Sequence, residues 1–213
     1  MTTYRDLYQQ AQADSEGFWL DAAKSIDWVT PPTRALDASN PPFSRWFPDG
    51  ELNTCYNAVD RHVAAGRGDQ KAIIYDSPIT DSASTMSFSE LQTATALFAG
   101  MLARLGINKG DRVIIYMPMI PQSLVAMLGC ARLGAVHSVV FGGFAAAELA
   151  KRIDDAQPKA IISASCGHEP GRIVAYKPLL DEAIELASHK PESCVIYQRA
   201  ALQADLVAGR DLE

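Results

Sequence analysis

The sequence predicts an α/β fold, a mostly parallel sheet flanked by helices, preceded by an N-terminal helical and Pro-rich arm. Three observations carry this. Short β-branched runs recur along the chain at residues 71–75 (KAIIY), 112–116 (RVIIY), 135–141 (AVHSVVF), 159–163 (KAIIS) and 194–197 (CVIY), and such composition suits strands. Stretches with helical apolar spacing separate most of them. Strand, helix, strand repeated in that order implies parallel pairing through right-handed crossovers.

The elements follow in order. The first forty residues read as one or two short helices anchored by Phe18, Trp19, Ile26 and Trp28. Pro31-Pro32 and Pro41-Pro42 then interrupt regular structure, because proline lacks a backbone donor. This arm, residues 1–52, is expected to lie against the rest of a larger protein, and residues 53–213 form the α/β subdomain. Residues 53–62 (NTCYNAVDRH) start a short helix. After the strand at 71–75, residues 79–85 are a hairpin or loop and 86–88 its returning strand. Ser87 and Glu90 have the spacing of a capping box. Phe88, Leu91, Thr95, Phe98, Leu102 and Leu105 mark one helix face, and Gly106 stops that helix. Residues 108–111 make a turn before the strand at 112–116. Pro121 opens the next helix, with Leu124, Val125, Leu128 and Ala131 inward, and Gly134 ends it. A helix over 145–156 and one from Pro178 to about His189 complete the set.

Composition narrows the function. With 48% hydrophobic and 21% charged residues, the chain has the make-up of a folded protein. A net charge of −6 speaks against nucleic acid or anionic lipid as partners. No apolar run nears the roughly 20 residues of a membrane span, and the polar start lacks the regions of a secretory signal, so the expected location is cytoplasmic. Cys55, Cys130, Cys166 and Cys194 form no C-x-x-C pair, which predicts buried free thiols in a reducing compartment. The four histidines lack metal-ligand spacing.

In open parallel sheets ligands gather beyond the carboxyl ends of the strands. Residues 117–121, 142–145 and 164–175 share that rim. Gly142-Gly143-Phe144 either lets a ligand approach the backbone closely or makes a tight turn needing positive φ. Residues 166–172 (CGHEPGR) read as a flexible loop. In it Arg172 is either a planar fork for a phosphate or a surface arginine paired with a carboxylate, and His168 is either a titrating group or a solvated loop residue. Asp60 and Arg61 read as a cap or ion pair, and Met117, Met119 and Met127 as core fillers. Neither G-x-G-x-x-G nor G-x-x-x-x-G-K-[ST] is present.

Longer segments carry a resemblance. Residues 46–50 (WFPDG), 52–63 (LNTCYNAVDRHV) and 110–159 resemble the acetyl- and propionyl-CoA synthetases, a branch of the adenylate-forming superfamily. Residues 75–80 (YDSPIT), 166–172 (CGHEPGR) and 176–191 (YKPLLDEAIELASHKP) look like the propionyl-CoA synthetase group within it. The resemblance implies a ligase that joins propionate to coenzyme A with ATP and Mg2+, releasing AMP and pyrophosphate through an acyl-adenylate. It also implies that Arg172 contacts the nucleotide end of coenzyme A, that Gly143 lines the path of the pantetheine arm, and that Glu169, Pro170 and Gly171 border the site. Glu169 stands where acetyl-CoA synthetases usually carry a further arginine, so the resemblance does not carry over one basic contact to coenzyme A. The family's phosphate loop, adenine and acyl pockets, Mg2+ ligands and catalytic lysine have no counterpart here and are expected beyond Glu213. No catalytic residue is therefore assigned, and the 213 residues alone are expected to be inactive. Two alternatives remain: an acetate–CoA ligase, and a non-catalytic binding module built on the same subdomain.

Overall fold

The computed structural model describes residues 3–213, which divide into two compact units at Asn57/Ala58. In the first unit, α1 (Tyr4–Ala13) starts at a capping box in which Asp6 accepts from the Thr3 backbone N–H at 2.9 Å. The Asp14 carboxylate caps α2 (Ser15–Ala23) by accepting from the Gly17 N–H. A hairpin follows, β1 (Leu36–Asn40) with β2 (Phe43–Trp46). Here the sequence reading needs correction. Pro41-Pro42, joined by a cis peptide bond, does not merely interrupt structure but lies in the tip of the hairpin, where no ladder donor is needed. Trp19 and Trp46 meet edge to face at 5.4 Å, and Trp28 meets Phe47 at 5.5 Å. Phe18 and Trp28 are half-buried, whereas Trp19 and Ile26 remain exposed.

The helix expected over 53–62 is present, but in wide π-helical turns at Tyr56–Asp60 and Val63–Arg67. The second unit continues with β3 (Lys71–Ser77) antiparallel to β4 (Ser82–Ser87). The returning strand thus begins at Ser82, earlier than expected, and stops at Ser87 because that residue caps α3 (Phe88–Arg104). The Ser87 hydroxyl accepts from the Glu90 N–H at 3.2 Å, and the Glu90 carboxylate accepts from the Ser87 N–H at 2.7 Å. Ser87→Ala should therefore cost about 1 kcal/mol, read as a lower urea midpoint with an unchanged denaturant slope.

The main sheet comprises β5 (Arg112–Met117), β6 (Val136–Phe141), β7 (Ala160–Ala164), β10 (Ser193–Tyr197) and β11 (Asp211–Leu212), all parallel, in spatial order β11-β10-β7-β5-β6. Between them run α4 (Pro121–Leu133), α5 (Ala146–Ala156), the hairpin β8 (Cys166–Glu169) with β9 (Arg172–Ala175), and α6 (Tyr176–Leu186). The central strands β5, β7 and β10 are apolar on both faces because both are covered, whereas the edge strand β6 is largely exposed. On one face Ile114, Tyr116, Ile161 and Ile196 pack with Leu149, Ile153, Leu180 and Ile184 of α5 and α6. On the other Val113, Ile115, Ile162 and Val195 pack with Leu102, Ala126 and Cys130 of α3 and α4.

Three further expectations change. The buried side of α4 is Ser123, Val125, Ala126, Gly129 and Cys130, and Leu124 is 37% exposed. Small residues let α4 approach α3: a Cβ on Gly129 would meet Phe98 Cδ1 at 2.7 Å. α6 begins at Tyr176, before Pro178, and ends before His189; a proline in the first turn removes no helical hydrogen bond. The segment 166–172 is not a flexible loop but most of a hairpin turning at Pro170-Gly171. The stops at Gly106 and Gly134 hold, with φ of +77° and +73°.

Buried charge ties the last strand down. Lys177 Nζ lies 2.6 Å from Asp181 and 2.9 Å from Asp211, and Arg210 pairs with both carboxylates. Asp60 accepts from Gln92 and from Arg132, as an ion-pair role requires. All four cysteines are buried and free, and burial pushes the thiols of Cys130 and Cys194 up to about 12, leaving them protonated and unreactive. No described helix is long and apolar enough to cross a membrane.

Candidate functional site

Numbered by first appearance, the parallel strands run in the order 2-1-3-4-5. The chain leaves β5 for β6 on one side, then returns past β5 to β7. Such a reversal splays the loops at the carboxyl ends and opens a crevice. The cavity found there has a volume of about 490 Å3. It receives Met117 to Ile120 from the end of β5, Phe141 to Gly143 from the end of β6, His168 and Glu169 from β8, and Arg199 from beyond β10. Tyr75, Ser77, Ile79 and Thr80 of the β3–β4 hairpin close another side. All three rim segments expected from the sequence meet in this one cavity.

The named residues divide. Gly143, Glu169 and His168 line the cavity. Pro170 and Gly171 form the tip of the β8–β9 hairpin, and Gly171 takes φ +77°, as the second central residue of a type II turn does. Arg172 is opposite Glu169 in the hairpin register and is not among the lining residues. Its Nε donates to Glu169 Oε2 at 2.7 Å, and its side chain is 70% exposed. Of the two readings of Arg172, the carboxylate pair is the one formed in this state. Gly142 and Gly143 do not adopt positive φ, so the turn does not explain them. They are small because aromatic rings occupy the adjoining space: a Cβ on Gly143 would meet Phe141 Cε1 at 2.7 Å, and one on Gly142 would clash with Tyr176.

Arg199 and Tyr176 were not singled out from the sequence. Arg199 follows the last long strand by two residues, a signal of the same kind as the three rim segments. Its backbone N–H donates to Ser165 Oγ at 2.9 Å and its Nη1 to the Cys166 carbonyl at 3.1 Å, which clamps the base of the hairpin. Tyr176 is stacked on Tyr116, centroids 5.1 Å apart. Burial, reinforced by the Glu169 charge, holds the Tyr176 hydroxyl above its ordinary value, and Arg199 partly offsets this. It stays protonated and able to donate at any working pH. Among the described residues no three His, Cys, Asp or Glu converge as a metal site. The cavity is lined mostly by apolar groups with a few fixed polar ones, as small-molecule sites are.

Comparison with known proteins accords with this geometry. Residues 60–211 match the family model described as AMP-binding enzyme, and residues 4–58 the one described as acetyl-coenzyme A synthetase N-terminus. The chain is 50% identical over 211 residues to acyl-CoA synthetase short-chain family member 3, mitochondrial, of Rattus norvegicus, covering 99% of this chain and 31% of that protein. It is 44% identical to the propionate–CoA ligase of Escherichia coli, covering 99% and 33%. It is 46% identical to the acetyl-coenzyme A synthetase of Streptomyces avermitilis, covering 97% and 31%. The chain thus spans about a third of the length of these relatives. The solved structure of acetoacetyl-CoA synthetase from Streptomyces lividans shares the fold, with a TM-score of 0.86 at 24% identity over 99% of this chain and 32% of that one. With its larger part matched by that first model, and its start by the second, the chain belongs to the AMP-binding enzyme family.

Proposed function

We propose that this chain is the N-terminal part of an AMP-forming ligase that converts propionate, ATP and coenzyme A to propionyl-CoA, AMP and pyrophosphate, with Mg2+ supporting adenylation from residues outside this chain. On this reading the switch-point cavity takes the pantetheine arm of coenzyme A, and the β8–β9 hairpin meets its phosphorylated nucleotide. The observation that carries it is the cavity itself: an apolar channel at the strand ends, walled by Gly143 and Glu169 and lying beside a hairpin that presents Arg172. An exposed guanidinium at the rim suits phosphate. Among the relatives, one carries the name propionate–CoA ligase and another acetyl-coenzyme A synthetase. The choice of propionate rests on residues 75–80, 166–172 and 176–191, and on Glu169 in particular.

The test is substrate choice by the full-length protein. kcat/KM for propionate should exceed that for acetate by about 10- to 100-fold, since one methylene in an apolar pocket is worth about 1–3 kcal/mol. Acetate or butyrate as the better substrate would overturn the propionate assignment.

A further inference from the structure

The ring of Tyr176 packs in the core with Tyr116 and Leu180, but the position of its hydroxyl is one that core packing does not explain. The side chain is more than nine-tenths buried, at 7% exposure, and a buried hydroxyl ordinarily finds a partner. That of Tyr116 does, donating to the Phe144 carbonyl at 3.0 Å. The Tyr176 hydroxyl makes no hydrogen bond among the described residues, yet it is not sealed in the core and its residue lines the cavity.

The ring is also held in a slot. Its Cε2 edge faces Gly142 and its Cε1 edge faces Gly167, and a Cβ on Gly167 would lie 2.5 Å from the hydroxyl and 2.6 Å from Cε1. Gly142 opens the turn after β6, and Gly167 belongs to β8. Two rim segments from different strands therefore leave out their side chains to admit one phenol. Below the ring, Tyr116 fixes its tilt by stacking, and the Tyr176 N–H is anchored on the Ser165 carbonyl at 3.0 Å. A side chain fixed on three sides over an anchored backbone, with its one polar atom unused, is a pre-organised donor.

We propose that Tyr176 is a ligand-binding residue whose hydroxyl donates a hydrogen bond to an amide carbonyl of the ligand in this cavity. The ligand class follows from the surroundings: the mostly apolar lining, and Glu169 offsetting Arg199, favour a neutral acceptor over a free anion. This rests on the reading that the cavity takes the pantetheine arm, which carries amides. Gly142 and Gly167 are then positioning residues, acting through Tyr176.

The experiment uses the full-length protein and two variants. Tyr176→Phe keeps the ring and its packing and removes only the donor. It should raise the KM for coenzyme A about three- to tenfold, the worth of one neutral hydrogen bond, with kcat and the KM values for ATP and acid within twofold of the parent. Met119→Trp adds bulk at an exposed residue that lines the same cavity, and should raise the KM for coenzyme A more. An unchanged KM in Tyr176→Phe, with a raised one in Met119→Trp, would overturn the role of the hydroxyl and leave the cavity assignment standing. No change in either variant would overturn both. Parallel losses for all three substrates in Tyr176→Phe would mean that the phenol serves only the fold.

Discussion

Asp211→Ala should destabilise the fold by about 3 kcal/mol, the scale expected when one partner of a buried ion pair is removed. The carboxylate is fully buried and Lys177 is 4% exposed, so the mutation strands a cation in the core with only Asp181 left to balance it. It also unpins β11, a strand of two residues whose place on β10 depends on Arg210 and Asp211 as much as on its ladder. Urea denaturation at neutral pH measures the loss, and a value below about 1 kcal/mol would class the cluster with exposed pairs. Asp21→Ala is the control, because its pair with Lys24 is exposed on both sides and the midpoint should not move. The same carboxyl predicts a pH dependence. Burial alone would raise Asp211, but hydrogen bonds from Arg210, the Val207 N–H and Lys177 outweigh it and hold the group below its ordinary value. A carboxyl lowered in the folded state stabilises it above the unfolded value, near pH 4. That contribution is fully present at neutral pH and disappears as pH falls through the lowered value, so wild type and Asp211→Ala should converge in stability in acid.

Arg172→Ala in the full-length protein should raise the KM for coenzyme A by about one order of magnitude. A charge-assisted contact is worth roughly 1.5–3 kcal/mol, but Arg172 must first leave Glu169, which holds it at 2.7 Å. Glu169 thus competes with the ligand for the guanidinium. Glu169→Gln removes that competition and should lower the KM, opposite in sign to Arg172→Ala. Propionate-dependent ATP–pyrophosphate exchange should survive Arg172→Ala, since adenylation precedes coenzyme A. Dephospho-coenzyme A should lose less than coenzyme A if the contact is to the 3′-phosphate. An unaltered KM, or equal loss of exchange, would remove Arg172 from the site.

What the sequence disclosed was local. β-branched runs located β5, β7 and β10, because a strand buried on both faces has no polar side to blur it, and located the exposed edge strand β6 by its valines alone. Ser87 and Glu90 disclosed their cap, and Gly106 and Gly134 their helix ends, because each is decided within a few residues. The phase of α4 was not legible, since Gly129 is buried to make room for Phe98 on another helix. β11 was missed because its two residues are held by side chains on α6 and not by their own propensity. The rim could be placed from strand ends alone, but the partners on it could not. That Tyr176 meets both Gly142 and Gly167, and that Arg199 joins His168 and Glu169, depends on the strand order 2-1-3-4-5, which no single segment encodes.

The aromatic cluster of the first unit has a practical consequence. All three tryptophans, Trp19, Trp28 and Trp46, lie before Asn57. Intrinsic tryptophan emission therefore reports on that unit and is silent on the α/β unit, which contributes only tyrosines to the spectrum. A melting curve recorded by emission at the red edge follows the β1–β2 hairpin and its ring contacts. Far-ultraviolet dichroism is dominated instead by the longer helices α3 to α6. The stability of the sheet that carries the cavity has to be read from the second signal, and any lag between the two curves measures how independently the units come apart.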